Sequence, residues 1–139
     1  MKGDARMTIG KSIRVKAILL GVLTDIVGST VAGIVIGIGL GIALAAQHVP
    51  ANEIAIRLHG ASVLIPSLIL GFGFTVLGGY VAGRVAKQSE ILHGGIVGAI
   101  GILFILFTIS FPLWYNIVTI IGIVPFGIIG GLLARKRHK

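Results

Sequence analysis

The sequence predicts an all-α integral membrane protein: four transmembrane helices arranged as two tandem hairpins, both termini in the cytoplasm, with glycine-rich packing between helices. Three observations predict it. Of the 139 residues, 55% are hydrophobic and 12% charged, with a mean hydropathy of +1.07, whereas a soluble domain carries about 25% charged residues. Four apolar runs are each long enough for a helix to cross a hydrocarbon layer of ~30 Å, which takes about 20 residues. Eleven of the 12 Lys and Arg residues fall at one set of run ends.

A basic tail, residues 1–16, comes first and carries Lys2, Arg6, Lys11, Arg14 and Lys16. The first span, about 17–46, exceeds the length of a straight crossing. It is expected to tilt, to kink near Gly28-Ser29-Thr30, or to project beyond the membrane. A cleaved leader ending in the small residues Ala43–Ala46 is the alternative. A signal h-region is about 7–15 apolar residues, so the longer stretch here, with Asp25 inside it, predicts a retained span. "PANEIAIRLHG" then predicts a short interfacial helix. Pro50 suits its first turn, and Ile54, Ala55 and Leu58 share an apolar face beside Glu53 and Arg57. His48 and His59 lie too far apart along that helix to hold one metal ion.

The second span, about 61–85, ends in Arg84, and the turn after it holds Lys87 and Glu90. The third span runs over about 91–110. The outer turn "SFPLWYN" brings Phe111, Trp114 and Tyr115 to the interfacial belt, where apolar rings with polar edges are favoured. The fourth span, about 115–134, contains Pro125, which frees the carbonyl of Ile121. A basic tail, residues 135–139, follows with Arg135, Lys136, Arg137 and Lys139. Only Arg57 falls on the other side, so the positive-inside rule puts both tails and the 84–90 turn in the cytoplasm. The tails also suit anionic headgroups, but fixing the topology is their simpler role.

Glycines at i, i+4 share one helix face. Where they do, two backbones can approach closely, and in lipid such van der Waals contact holds helices together. Gly33, Gly37 and Gly41 make such a ridge in the first span. Gly79 and Gly83 do so in the second, Gly94 and Gly98 in the third, and Gly127 and Gly131 in the fourth. The first ridge serves packing within the chain or homo-oligomerisation. A repeat is also visible. "GGYVAGR" at 78–84 and "GGLLAR" at 130–135 close the even spans, while "ILLG" at 18–21 and "ILHG" at 91–94 open the odd ones. Units of two spans each would be parallel repeats.

The string Gly78-Gly79-Tyr80-x-Ala82-Gly83-Arg84-x-Ala86, followed by His93-Gly94 and Gly98, resembles a signature of several families of small four-span prokaryotic membrane proteins of unknown function. The resemblance implies a multi-pass protein of the cytoplasmic membrane of a bacterium or archaeon. It implies no activity.

Chemistry concentrates on Asp25. It lies roughly 13 Å along the helix from Lys16, inside the hydrocarbon, where an ionised carboxylate costs several kcal/mol unless paired, hydrated or protonated. Thr24, Ser29 and Thr30 add hydroxyls nearby. Its nearest candidate partners are Arg84 and His93, at the ends of their spans. The three form the candidate intramembrane polar site, with Asp25 either a proton or cation site facing a cavity or a structural hydrogen bond between helices. There is no HExxH pair, Walker loop or GxSxG elbow, and no cysteine. No enzyme activity, cofactor, metal site or nucleic-acid partner is expected. Two functional classes stand. One is a structural or accessory membrane protein packing with itself or a larger partner through glycine ridges. The other is a small oligomeric transporter or channel using Asp25.

Overall fold

The structure, a computed structural model, describes residues 13–107 and 111–136. The expectations for residues 1–12, for the end of the third span at 108–110 and for 137–139 lie outside the described residues. The described chain is helical, with five helices and no strand among the described residues: α1 (Val15–Ala46), α2 (Ala51–Leu58), α3 (Ala61–Ala86), α4 (Glu90–Phe107) and α5 (Leu113–Lys136). The four long helices are each long and apolar enough to cross a membrane. α2 is the short helix expected between the first two spans. Pro50 precedes its first residue in an extended conformation, and the Arg57 guanidinium donates to Glu53 Oε1 at 2.7 Å across one turn. Such exposed i,i+4 pairs contribute little, about 0.3–0.5 kcal/mol.

α1 is one uninterrupted helix of 32 residues, about 48 Å at ~1.5 Å per residue. α3 and α5 likewise pass Pro66 and Pro125 without a break in their assigned helix. The turn from α3 to α4 is tight. Lys87 takes a left-handed conformation (φ 56°) and donates its N–H to the Gly83 carbonyl at 3.1 Å, and Ser89 is left-handed as well (φ 48°).

α3 occupies the middle, touching α1, α4 and α5, while α5 packs against α3 and α4 and does not reach α1. The start of α1 meets the start of α4 through Arg14 and His93. The end of α3 meets the start of α4 and the end of α5 around Gly83, Glu90 and Ala134. Arg14, Lys16, Arg84, Lys87, Arg135 and Lys136 therefore gather at one end of the molecule, and α2 lies at the other.

Burial is uneven along this axis. The buried residues of α1 are Ala17, Ile18, Gly21 and Asp25, all in its first third. Those of α4 and α5 lie within 93–98 and 123–134. α3 buries Thr75 to Ala86, with Leu64 the exception. The four helices are thus closed at the basic end and open at the other. Val31, Ile34, Val35, Ile38 and Ile42, on the open half of α1, are each more than half exposed. In water such a surface would be a liability; in lipid it is the solvated state.

Aromatic rings mark where the fork begins. At the closed end the backbones nearly touch. Toward the open end, the Phe74 ring lies on Gly28 of α1 and the Phe72 ring lies on Gly122 of α5. Phe72 also stacks on Phe126, with ring centroids 4.4 Å apart. A ring set between two helices holds their backbones further apart than a glycine contact does.

Candidate functional site

The fork is where Asp25 sits. Asp25 is 7% exposed, and Thr75 Oγ1 of α3 donates to Asp25 Oδ1 at 3.2 Å. The Thr75 hydroxyl lies equally close, 3.2 Å, to the Gly71 carbonyl one turn back. A hydroxyl carries a single proton. When Thr75 donates to Asp25 the carboxyl is the acceptor. When Thr75 donates to Gly71 its lone pair faces Asp25, and the contact requires a proton on the carboxyl. The pair therefore accommodates both protonation states without moving a heavy atom. Ser29, one turn along α1, donates to the Asp25 carbonyl at 2.7 Å.

Asp25 lines a cavity of about 200 Å³ between α1, α3, α4 and α5. Ser29, Thr75, Asn116 and Thr119 supply its polar groups, and rings from α3, α4 and the approach to α5 form much of the remaining wall. A second cavity, of about 450 Å³, shares Ser29, Gly71, Phe111 and Tyr115 with the first and extends to Leu58 and His59 at the α2 end. The two adjoin at these shared walls and make up a recess that reaches toward the α2 end. No basic side chain among the described residues stands within ion-pair distance of Asp25.

The structure does not bring Arg84 or His93 to Asp25. The Arg84 guanidinium lies over the Tyr80 ring, 6.0 Å from its centroid. His93 is fully buried at the closed end. Its Nε2 accepts the Arg14 backbone N–H at 3.0 Å, and its Nδ1 lies 3.0 Å from the Ser89 carbonyl. The backbone N–H can only donate and the carbonyl can only accept, so the ring is neutral with its proton on Nδ1. His93 ties the residue that precedes α1 to the first turn of α4. His93→Ala orphans the Arg14 donor and is expected to cost about 1–3 kcal/mol. The measurements are a lower midpoint of thermal unfolding in detergent and faster amide exchange in the first turn of α1.

The glycines divide by position. A Cβ built on Gly79, Gly94 or Gly127 would run into neighbouring backbone: Gly127 carbonyl for the first two, Gly94 carbonyl for the third. One on Gly98 would lie 2.6 Å from the Ile123 carbonyl. One on Gly83 would lie 2.8 Å from the Ala134 Cβ, and one on Gly131 would run into the Glu90 carbonyl. Gly33, Gly37 and Gly41 meet nothing within 4 Å. Sequence spacing had singled out all nine. It passed over Gly21, Gly78 and Gly130 as contact positions. Cβ atoms at Gly21 and Gly78 would lie 2.6 Å from each other's carbonyl oxygens, and one at Gly130 would run into the Val76 carbonyl.

Thr75 was also passed over. Its signal was a lone hydroxyl inside an apolar run, with no way to tell from spacing that it faces Asp25 50 residues away. Phe111 and Tyr115, expected at the interface, line both cavities. His48 and His59 join no cluster, since no group of three His, Cys, Asp or Glu able to hold a metal gathers among the described residues. Comparison with protein families, with curated proteins and with solved structures finds no match for this chain.

Proposed function

We propose that this chain is a small, non-enzymatic multi-pass protein of a prokaryotic cytoplasmic membrane, and that Asp25 is its working group, a proton or monovalent-cation site in a small transporter or channel. One observation carries the reading: Asp25, the one acid in the interior of a long apolar helix, lines a recess that reaches toward the α2 end, beside a hydroxyl suited to either of its protonation states. An unpaired intramembrane acid is costly and marks function by default. The gathering of basic residues at the closed end supports an orientation with both termini and the Lys87 turn in the cytoplasm, so that the recess opens outward. The contacts of α1 with α3 and of α4 with α5 support two tandem hairpins packed through glycine. The resemblance of the Gly78–Gly98 string to small four-span prokaryotic families supports the location and leaves the chemistry to Asp25.

A structural or accessory role is the second reading, in which the chain packs with itself or a larger membrane partner. The ridge Gly33, Gly37 and Gly41 supports it, since it meets nothing within the chain and such ridges suit helix–helix contact. Proton and monovalent-cation flux into liposomes containing the purified chain, compared with Asp25→Asn, separates the two. Flux lost in the variant sustains the first reading. No flux from folded, correctly inserted protein of either kind removes it in favour of the second.

A further inference from the structure

From the lining of the recess we infer that the cation it takes is a small organic one, a quaternary ammonium or protonated amine with an apolar body, rather than a divalent metal ion. The inference rests on the reading of Asp25 as a cation site and names the ligand class of that site.

Charge comes first. Of the three acids among the described residues, Asp25 alone lines the recess, because Glu53 is paired with Arg57 and Glu90 lies at the closed end. One carboxylate with no basic neighbour matches one positive charge. A divalent metal fits poorly. Such ions take about six to eight oxygen ligands and are usually held by more than one carboxylate. Here the Ser29 hydroxyl donates to the Asp25 carbonyl at 2.7 Å, the Thr119 hydroxyl to the Tyr115 carbonyl at 2.7 Å, and the Asn116 amide to the Phe111 carbonyl at 3.1 Å. Their oxygens keep lone pairs but carry no charge, so Asp25 is the one formal negative charge among the described residues of the cavity wall.

The walls favour a different cation. Phe72, Phe104, Phe111 and Tyr115 border the same cavity as Asp25. Ring faces attract cations of low charge density, which shed water cheaply, and the attraction strengthens on desolvation. A carboxylate at the base and rings along the wall supply what an alkylammonium needs: one counter-charge and apolar area for its substituents. Size agrees. The cavity of about 200 Å³ holds roughly six or seven waters at ~30 Å³ each, which is below the ~300–1,000 Å³ of drug-sized sites. The adjoining cavity of about 450 Å³ lies toward the α2 end.

The test is binding of benzyltrimethylammonium to the full chain in lipid nanodiscs, by equilibrium dialysis. Saturable binding that an equal concentration of sodium does not displace is expected. Asp25→Asn should weaken it more than about tenfold, and Asp25→Glu should retain most of it. Phe104 is half exposed, 51%, and lines the cavity. Phe104→Ala should weaken binding about 3- to 10-fold and Phe104→Trp should not, as removal and retention of a ring face predict. Binding that is absent from folded protein, or unchanged in both Asp25→Asn and Phe104→Ala, overturns the inference. Asp25-dependent proton or sodium flux without benzyltrimethylammonium binding overturns the organic ligand and leaves Asp25 as a cation site. Absence of both removes the two together.

Discussion

Gly127→Leu is expected to prevent the closed end from forming. Gly127 lies where three helices meet, since its carbonyl faces both Gly79 of α3 and Gly94 of α4 and a side chain on it would meet Gly94 and Gly98. Adding even one methylene to a packed site costs about 1–3 kcal/mol. Here the obstacle is backbone on another helix, which cannot rotate aside. Gly127→Ala should cost about 3 kcal/mol or more, a large part of the ~5–15 kcal/mol that holds a typical domain folded. Leucine should abolish the monodisperse folded species on size-exclusion chromatography. Gly37→Ala is the contrast. Nothing lies within 4 Å of that position, and alanine is the better helix former, so unfolding should be unchanged or slightly later. A change in oligomeric state with unchanged monomer stability at Gly37 would instead favour the accessory reading.

Asp25→Asn is expected to lower cation or proton flux more than about tenfold while leaving the thermal midpoint unchanged or raised. Asparagine keeps an oxygen for the Thr75 hydroxyl, so the link between α1 and α3 survives. A neutral amide also costs less to hold in a low-dielectric site than a carboxylate does. Function and stability then move in opposite directions, as they do where a strained group is retained for its work. The reverse pattern, flux unchanged and the midpoint lowered, would make Asp25 a structural tie between two helices.

Much of the fold was legible. Four apolar runs, one short amphipathic segment after Pro50 and the turn at Lys87 were all readable, because hydrocarbon length and backbone satisfaction allow few alternatives. The expected spans 17–46, 61–85 and 115–134 fall within a residue or two of α1, α3 and α5. Individual glycines were less legible. The i, i+4 spacing occurs at Gly33, Gly37 and Gly41 as well as at Gly94 and Gly98, and spacing alone does not say which face meets a neighbour. The doublets carried the missing signal. Consecutive helical residues point about 100° apart, so Gly78 faces α1 while Gly79 faces α5, and Gly130 faces α3 while Gly131 faces α4. These two pairs each mark a helix lying between two others, whereas Gly94 and Gly95 of α4 both face α5. The partner of Asp25 was beyond reach for a different reason. Thr75 becomes its neighbour only through the antiparallel register of α1 and α3, which the contact of Gly21 with Gly78 sets.

Closure at one end alone has a mechanical consequence. α1 is held at its base, by Gly21 against Gly78 and Val97, and is separated from α3 by a cavity beyond Ser29. Thr75 at Asp25 and the Phe74 ring at Gly28 hold it further along, and from Gly28 to Ala46 it forms an arm of about 27 Å at ~1.5 Å per residue. A rotation of about 10° at Gly28 would carry the tip about 5 Å, close to the ~5.4 Å pitch of a helix. Angular play too small to disturb the glycine contacts is thus magnified at the mouth of the recess. α2, bracketed by His48 and His59, rides at the end of that lever.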